Sequence, residues 1–219
     1  LDKSYAEAGV GTYVGAVVAS GQESQGNYKV FFNPNKLTVT NGTIIINPPT
    51  DPEDPSEPKP EGYEGTPYDW YGCYDGKGHT IAWDVIPADS TMSFATSEEG
   101  PYSSILPKYT NVCERLPIYF KAAHENYEPT KAYVGYVTIT QKVVTVTAPE
   151  KSKVYLSDDP DMSNEKAESI LGVISGEDAE ALIKYTLSLD KSYADAGVGT
   201  YVGAVVASGQ ESQGNYKVL

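Results

Sequence analysis

Two cysteines are the residues best able to form a covalent bond in this chain of 219 residues: Cys73 and Cys113. An even cysteine count in an extracellular protein favours a disulfide, and both residues precede strand-like runs of one region. Closing a loop of about 40 residues would stabilise the fold by roughly 3 to 4 kcal/mol in the chain-entropy model. The sequence predicts a Cys73–Cys113 disulfide. Two free buried thiols are the main alternative, and an intermolecular disulfide or a thioester with a glutamine remains open.

An aromatic cluster before the turn YDGK offers the chemistry of sugar stacking. It contains Tyr68, Trp70, Tyr71 and Tyr74, with Trp83 close in sequence, and the candidate platform is Trp70, Tyr71, Tyr74 and Trp83. Exposed rings of this kind form stacking platforms for carbohydrates. The other interpretation is that the rings are one aromatic half of a sandwich core together with tyrosines on a strand face. The pattern favours the core interpretation and keeps the ligand platform as an alternative.

Residues for catalysis or metal binding do not form a recognisable group. His79 and His124 have no carboxylate or cysteine cluster at ligand spacing, so we expect surface or strand-edge histidines. The acidic residues Asp158, Asp159 and Asp161 lack the spacing of an EF-hand loop, which disfavours calcium. There is no GxSxG, P-loop or GxGxxG motif. We therefore predict no enzyme, no cofactor and no metal. Lys–Asn isopeptide bonds cannot be placed from sequence.

The charge balance limits the classes of partner that the chain can bind. The formal net charge is −14, with 16 Lys and Arg against 30 Asp and Glu. A phosphate-binding face needs clustered cations, so nucleic acid is excluded and an anionic membrane surface is disfavoured. No run of 18 apolar residues is present, so direct membrane insertion is not expected. With 18 Tyr, 15 Pro and only 2 Met, the composition favours strands and turns.

An internal repeat dominates the organisation of the chain. Residues 1–30 and 189–218 differ only at Glu7 against Asp195, so the period is 188 residues. Near-identity over this length predicts a segment of a tandem-repeat array, with one repeat unit plus an overlap. The glycines of GVGTYVG are spaced like turn and bulge positions beside a strand. We expect the C-terminal copy to lack the strand FFNPNKLTVT that follows the first copy. Joining residues 143–218 to residues 31–47 would rebuild one complete module.

Changes in composition along the sequence divide the chain into four segments. Residues 1–47 are the C-terminal part of a module, and 48–62 are an acidic, proline-rich linker with six prolines at positions 48–60. Residues 63–142 contain short aromatic and β-branched runs separated by turn signals, which predict an antiparallel β-sandwich. Residues 143–219 begin with the strand VVTVT and contain a short helix near Ser175 and Asp178, so we expect an α+β module.

The motifs of the last segment resemble a known family. KSKVY, the following DDP, ISGEDAEAL, GVGTY and NYKVFFNPNKLTVT are similar to the MBG, or mostly-beta-grasp, repeat of bacterial surface proteins. The resemblance covers residues 143–219 and again 1 to about 46. Residues 63–142, with YDGKGHTI and a closing YVTIT, resemble the Ig-like modules that accompany such repeats. The fold class is therefore expected to be mainly β, with an Ig-like antiparallel β-sandwich and a β-grasp-like α+β module.

The resemblance implies an extracellular protein at the cell surface or attached to the cell wall. It supplies no catalytic residues. We expect a structural or adhesive stalk or filament segment, and the alternative is a module that binds a host glycan or protein and gains avidity by repetition. Unpaired edge strands invite self-association, so we also expect head-to-tail contact between neighbouring repeats through the incomplete modules.

Overall fold

The computed structural model describes residues 3–50, 59–193 and 196–219. Its elements are almost entirely β-strands, and the described residues contain a single α-helix, α1 (Ala179–Leu182). This confirms a mainly β fold. The central part of the predicted linker, residues 51–58, lies outside the described residues.

Eighteen strands are present in the described residues. The N-terminal part contains β1 (Gly11–Val17), β2 (Ser24–Gln25), β3 (Tyr28–Lys29), β4 (Asn35–Val39), β5 (Gly42–Thr43) and β6 (Ile45–Asn47). The middle part contains β7 (Trp70–Cys73), β8 (Asp84–Ile86), β9 (Thr91–Ala95), β10 (Cys113–Ala123), β11 (Tyr127–Glu128) and β12 (Tyr133–Thr140). The C-terminal part contains β13 (Lys142–Thr147), β14 (Ser169–Leu171), β15 (Thr186–Leu189), β16 (Val205–Ser208), β17 (Ser212–Gln213) and β18 (Tyr216–Val218).

The chain divides into two compact units, each built from separate stretches. The first comprises Leu1–Thr50, Trp83–Leu106 and Tyr119–Val134, and the second comprises Asp51–Ala82, Pro107–Ile118 and Gly135–Leu219. The predicted module boundaries at 47, 62 and 142 stay a prediction.

In the first unit, short strands pair around an aromatic core. β1 pairs antiparallel with β4, β6 with β8, and β9 with the second half of β10. The alternation of NKLTV predicted β4, and its half-buried Leu37 and Val39 alternate with exposed neighbours. Phe120 is fully buried, with its ring centroid 5.7 Å from those of Trp83 and Tyr133.

In the second unit, β13 lies at the centre of a four-stranded sheet of order β14-β13-β18-β17. It pairs antiparallel with β14 and parallel with β18. The buried apolar side chains in this unit include Val137, Ile139, Val144 and Ile183. The helix begins at the cap Asp178, whose carboxylate accepts from the Ala181 amide at 3.2 Å, and not at Ser175.

The middle strands form a mixed sheet of order β7-β12-β10-β9. β7 and β12 run parallel, with Trp70 opposite Val137 and Cys73 opposite Thr140. The expectation of purely antiparallel pairing is therefore wrong at this edge. Alternation along a strand indicates which face is buried but carries no information about the direction of its neighbour.

Replacement of the buried Phe120 tests the core of the first unit. Phe120→Ala is expected to lower the free energy of unfolding by about 3 to 5 kcal/mol, because the change leaves a cavity among aromatic rings. Urea denaturation followed by fluorescence measures the loss. Phe31→Ala is the matched control, since Phe31 is exposed, and it should change stability by no more than about 0.5 kcal/mol. Equal losses in both variants would contradict the assignment.

Candidate functional site

The two cysteines lie on strands that flank a third one. Cys73 ends β7 and Cys113 begins β10, and β12 lies between these strands. The Cys113 thiol donates to the Val137 carbonyl of β12 at 3.6 Å. Two strand spacings amount to about 9 to 10 Å, whereas disulfides need Cα atoms closer than about 7 Å. The structure accordingly has no disulfide between Cys73 and Cys113, and the predicted bond is not confirmed.

The aromatic residues singled out by sequence are mostly packed inward. Trp70 is buried, and its ring stacks on His79 with 3.7 Å between centroids. Tyr74 is also buried, while Tyr71 and Trp83 are half-buried. A ring must expose a face to stack against a sugar, and burial removes this option for Trp70 and Tyr74.

The histidines each face one carboxylate. His79 is buried with its Nε2 2.8 Å from Asp75, and the Nε2 of His124 lies 3.2 Å from Asp89. Among the residues in the described ranges, no group of three or more His, Cys, Asp or Glu side chains is placed to hold a metal ion. Likewise, no helix in the described part of the chain is long and apolar enough to cross a membrane.

The most specific arrangement of side chains lies where β12 runs into β13. A single residue, Gln141, separates the two strands. Its side-chain amide donates to the Ser212 hydroxyl at 2.7 Å and to the Gly214 carbonyl at 2.9 Å. The connection between strands is therefore short and is held by the β17–β18 hairpin.

Asn215, in the turn of that hairpin, makes three contacts at the junction. Its side-chain oxygen accepts from the Val112 amide at 2.9 Å, and its side-chain amide donates to the Asn111 side chain at 3.0 Å. Its carbonyl accepts from the Lys142 amide at 3.0 Å. The turn thus bonds both to the loop before β10 and to the first residue of β13.

A carboxylate between two tyrosines completes this group. Glu177 accepts hydrogen bonds from the hydroxyls of Tyr74, at 2.8 Å, and of Tyr216. The two rings meet edge to face at 5.5 Å, and the Ile174 amide donates to the Tyr216 oxygen at 3.2 Å. Burial and the nearby carboxylate raise the pKa of Tyr216 to about 12. We call Gln141, Asn215, Tyr74, Glu177 and Tyr216 the junction cluster.

The first copy of the repeat shows that this cluster depends on its surroundings. Tyr28 occupies the position of Tyr216, yet it is 78% exposed whereas Tyr216 is 2% exposed. The hairpin β2–β3 forms a two-stranded sheet, whereas β17–β18 is joined to β13. Sequence reasoning missed the junction cluster, apart from Tyr74, because its members are brought together only by tertiary pairing.

Thiol chemistry checks the cysteine geometry. Denatured, unreduced chain treated with an alkylating reagent is expected to carry two adducts by intact mass. In the native chain Cys113 should be alkylated about tenfold more slowly than in the denatured chain, because burial raises the pKa of its thiol. An unreduced chain whose intact mass is two hydrogens below that of the dithiol form, and which takes up no adduct, would show that the disulfide is formed instead.

Alkaline pH tests the junction cluster. The free energy of unfolding is expected to fall between pH 10 and about 12, because Tyr216 keeps its proton in the fold after the unfolded chain has lost it. Tyr216→Phe should cost about 1 to 2 kcal/mol at pH 9, and its difference from the parent chain should shrink as pH rises through this window.

Tyr28→Phe is the matched control for this measurement, since it makes the same change at the exposed position of the other copy. Its unfolding curve should follow that of the parent chain at each pH. Urea titrations at several pH values give the free energy of unfolding as a function of pH for the parent chain, Tyr216→Phe and Tyr28→Phe. Parallel pH profiles for the parent chain and Tyr216→Phe would contradict the expected role of Tyr216.

Comparison with known protein families gives a match over the C-terminal third of the chain. The model of the MBG domain (YGX type) matches residues 144–219, from within β13 to the final residue. No curated protein and no solved structure matches the chain significantly. The match confirms the predicted MBG repeat, while the Ig-like nature of residues 63–142 stays a prediction. MBG domains are repeat domains of surface proteins and are not a known enzyme family. Residues 144–219 are therefore similar to the MBG domain of the YGX type.

Proposed function

We propose that this chain is a stalk segment of a large, repetitive bacterial cell-surface protein, with no catalytic role. The observation that carries the proposal is the junction between β12 and β13. One residue connects the strands, so little backbone is free to bend there. Tertiary hydrogen bonds from Gln141 and Asn215 add to this restraint. If the predicted module boundary at residue 142 holds, this connection is a joint of the stalk, and a stalk requires stiff joints because a flexible one would shorten the distance that an array can span.

The acidic charge and the MBG family support an exposed, extracellular location. A net charge of −14 keeps long arrays soluble and limits their association. The other role considered, glycan or protein binding, has less support, because two of the four candidate aromatic residues are buried.

Backbone relaxation measures the stiffness of the junction directly. In the parent chain, amides of β12 and β13 are expected to share one rotational correlation time in ¹⁵N relaxation experiments. Insertion of Gly-Ser-Gly-Ser after Gln141 should separate them into two values, because the insert breaks the direct strand-to-strand connection. The same insertion after Asp158, an exposed position, is the control and should leave the two strands coupled.

Two results would count against a stalk. Independent tumbling of β12 and β13 in the parent chain would remove the stiffness argument. Saturable binding of the full chain on an array of host glycans and matrix proteins would favour the ligand-binding role.

A further inference from the structure

Asn41 is the one asparagine in the sequence that is followed by glycine. The pair lies in the turn between two strands, since β4 ends at Val39 and β5 begins at Gly42. A backbone amide that follows an asparagine can attack its side-chain carbonyl carbon and expel ammonia. Glycine has no side chain to hinder this attack. Asn41 is therefore the asparagine of this chain that is most open to deamidation.

The packing of Tyr127 explains why glycine occupies position 42. The Tyr127 ring lies against Gly42, and a Cβ atom added there would meet ring carbons at 2.6 and 2.7 Å. Carbon atoms pack at about 3.5 to 4.0 Å, so any larger residue at position 42 would displace the ring. The fold thus requires at this position the residue type that makes Asn41 reactive.

Two hydrogen bonds hold the groups that would react. The Gly42 amide, which would be the nucleophile, donates to the Asn126 carbonyl at 2.9 Å. The Asn41 side-chain amide, which contains the leaving group, donates to the Glu128 carboxylate at 2.5 Å. While both bonds persist, the nucleophile keeps its proton and the asparagine side chain is held towards Glu128. Residues 126–128 therefore restrain the reaction.

The strand pair that supplies this restraint is short. β5 and β11 pair over two residues each, with Gly42 opposite Tyr127 and Thr43 opposite Glu128, and in the described part of the chain they form a separate two-stranded sheet. Asn41 and Glu128 are both exposed, so water reaches them. Short, exposed elements open locally at a lower free energy than the whole fold. Local opening of β5 from β11 would release both reacting groups at once.

We propose that Asn41 is a deamidation site that the β5–β11 pair protects, and that its reaction prevents the pair from forming again. In the open state a base removes the Gly42 amide proton, and the nitrogen forms a bond to the side-chain carbonyl carbon of Asn41. The bond from that carbon to the side-chain nitrogen breaks, and ammonia leaves. Water then opens the succinimide ring to aspartate or isoaspartate. Water is the only co-reactant consumed.

The product cannot restore the original contact. A carboxylate at position 41 would face the carboxylate of Glu128, and two ionised carboxylates only accept hydrogen bonds and repel each other. Isoaspartate also adds a carbon to the backbone directly before Gly42, which shifts the register of β5. A long opening is thus converted into a lasting separation of β5 from β11. The inference does not depend on the stalk function, since it rests on these contacts alone.

Deamidation rates in the folded and the unfolded chain test the protection. The full chain is incubated in mildly alkaline buffer with and without urea, and peptide mapping by mass spectrometry measures conversion at Asn41. Methylation by an isoaspartyl methyltransferase identifies the isoaspartate product. The folded chain is expected to react at least about tenfold more slowly, because the reaction requires opening of β5 from β11. Equal rates in the two states would overturn the proposal.

Glu128→Ala isolates the contribution of the side-chain contact. The rate at Asn41 in the folded chain should rise about threefold or more, because the hydrogen bond that holds the asparagine side chain is lost. The rate in urea should stay the same. Glu125→Ala is the matched control, since it removes another exposed carboxylate of the same turn, and it should leave both rates unchanged. A slower reaction in Glu128→Ala, or equal effects of the two substitutions, would overturn the proposal.

Asn41→Asp tests the consequence of the reaction directly. Hydrogen exchange at the Gly42 amide should be at least about tenfold faster than in the parent chain, because two carboxylates replace the hydrogen-bonded pair. Adding Glu128→Gln restores an amide donor and a carboxylate acceptor with their positions exchanged, so exchange should return to about the parent rate. Unchanged exchange in Asn41→Asp, or no recovery in the double variant, would overturn the proposal.

Discussion

The parallel pairing of β13 with β18 is the interaction on which the C-terminal half of the structure depends. It places Lys142 opposite Tyr216 and Val144 opposite Val218. Once β18 is fixed beside β13, the turn that precedes it accepts a hydrogen bond from Gln141 at the Gly214 carbonyl and bonds to the loop before β10 through Asn215. Tyr216 then lies between Glu177 and Tyr74. The junction cluster is thus a consequence of one strand pairing rather than a site that forms independently.

The two copies of the repeat separate local from tertiary determinants of structure. Both form the same hairpin, with Gln25 opposite Tyr28 and Gln213 opposite Tyr216, and both have the same tyrosine-to-carbonyl hydrogen bond. These features need only neighbouring residues. Tyr216 is buried beside β13 and Glu177, whereas among the described residues the hairpin that holds Tyr28 pairs with no further strand. Burial of a large side chain is worth about 1.5 to 3 kcal/mol, so the surroundings of a copy decide a large part of its stability.

This division explains what the sequence could and could not predict. The alternating runs of β4, β9, β12 and β13 identified those strands, because a half-buried strand leaves a period of two. The short helix and the MBG segment were also recognisable. The strand order β7-β12-β10, which places a third strand between Cys73 and Cys113, is not encoded in the spacing of the two cysteines. Trp70 was ambiguous for a similar reason, since an aromatic residue next to a turn has the same pattern whether its ring stacks on His79 or faces water.

Near-identical copies in one chain create a choice of partners for β4. It can pair with residues 11–17 or with residues 199–205, and the sequences are the same. The two options differ in loop length, since only residues 18–34 separate β1 from β4. The entropy of closing a loop favours the shorter connection. A β4 strand therefore stays with the copy immediately before it, as the structure shows.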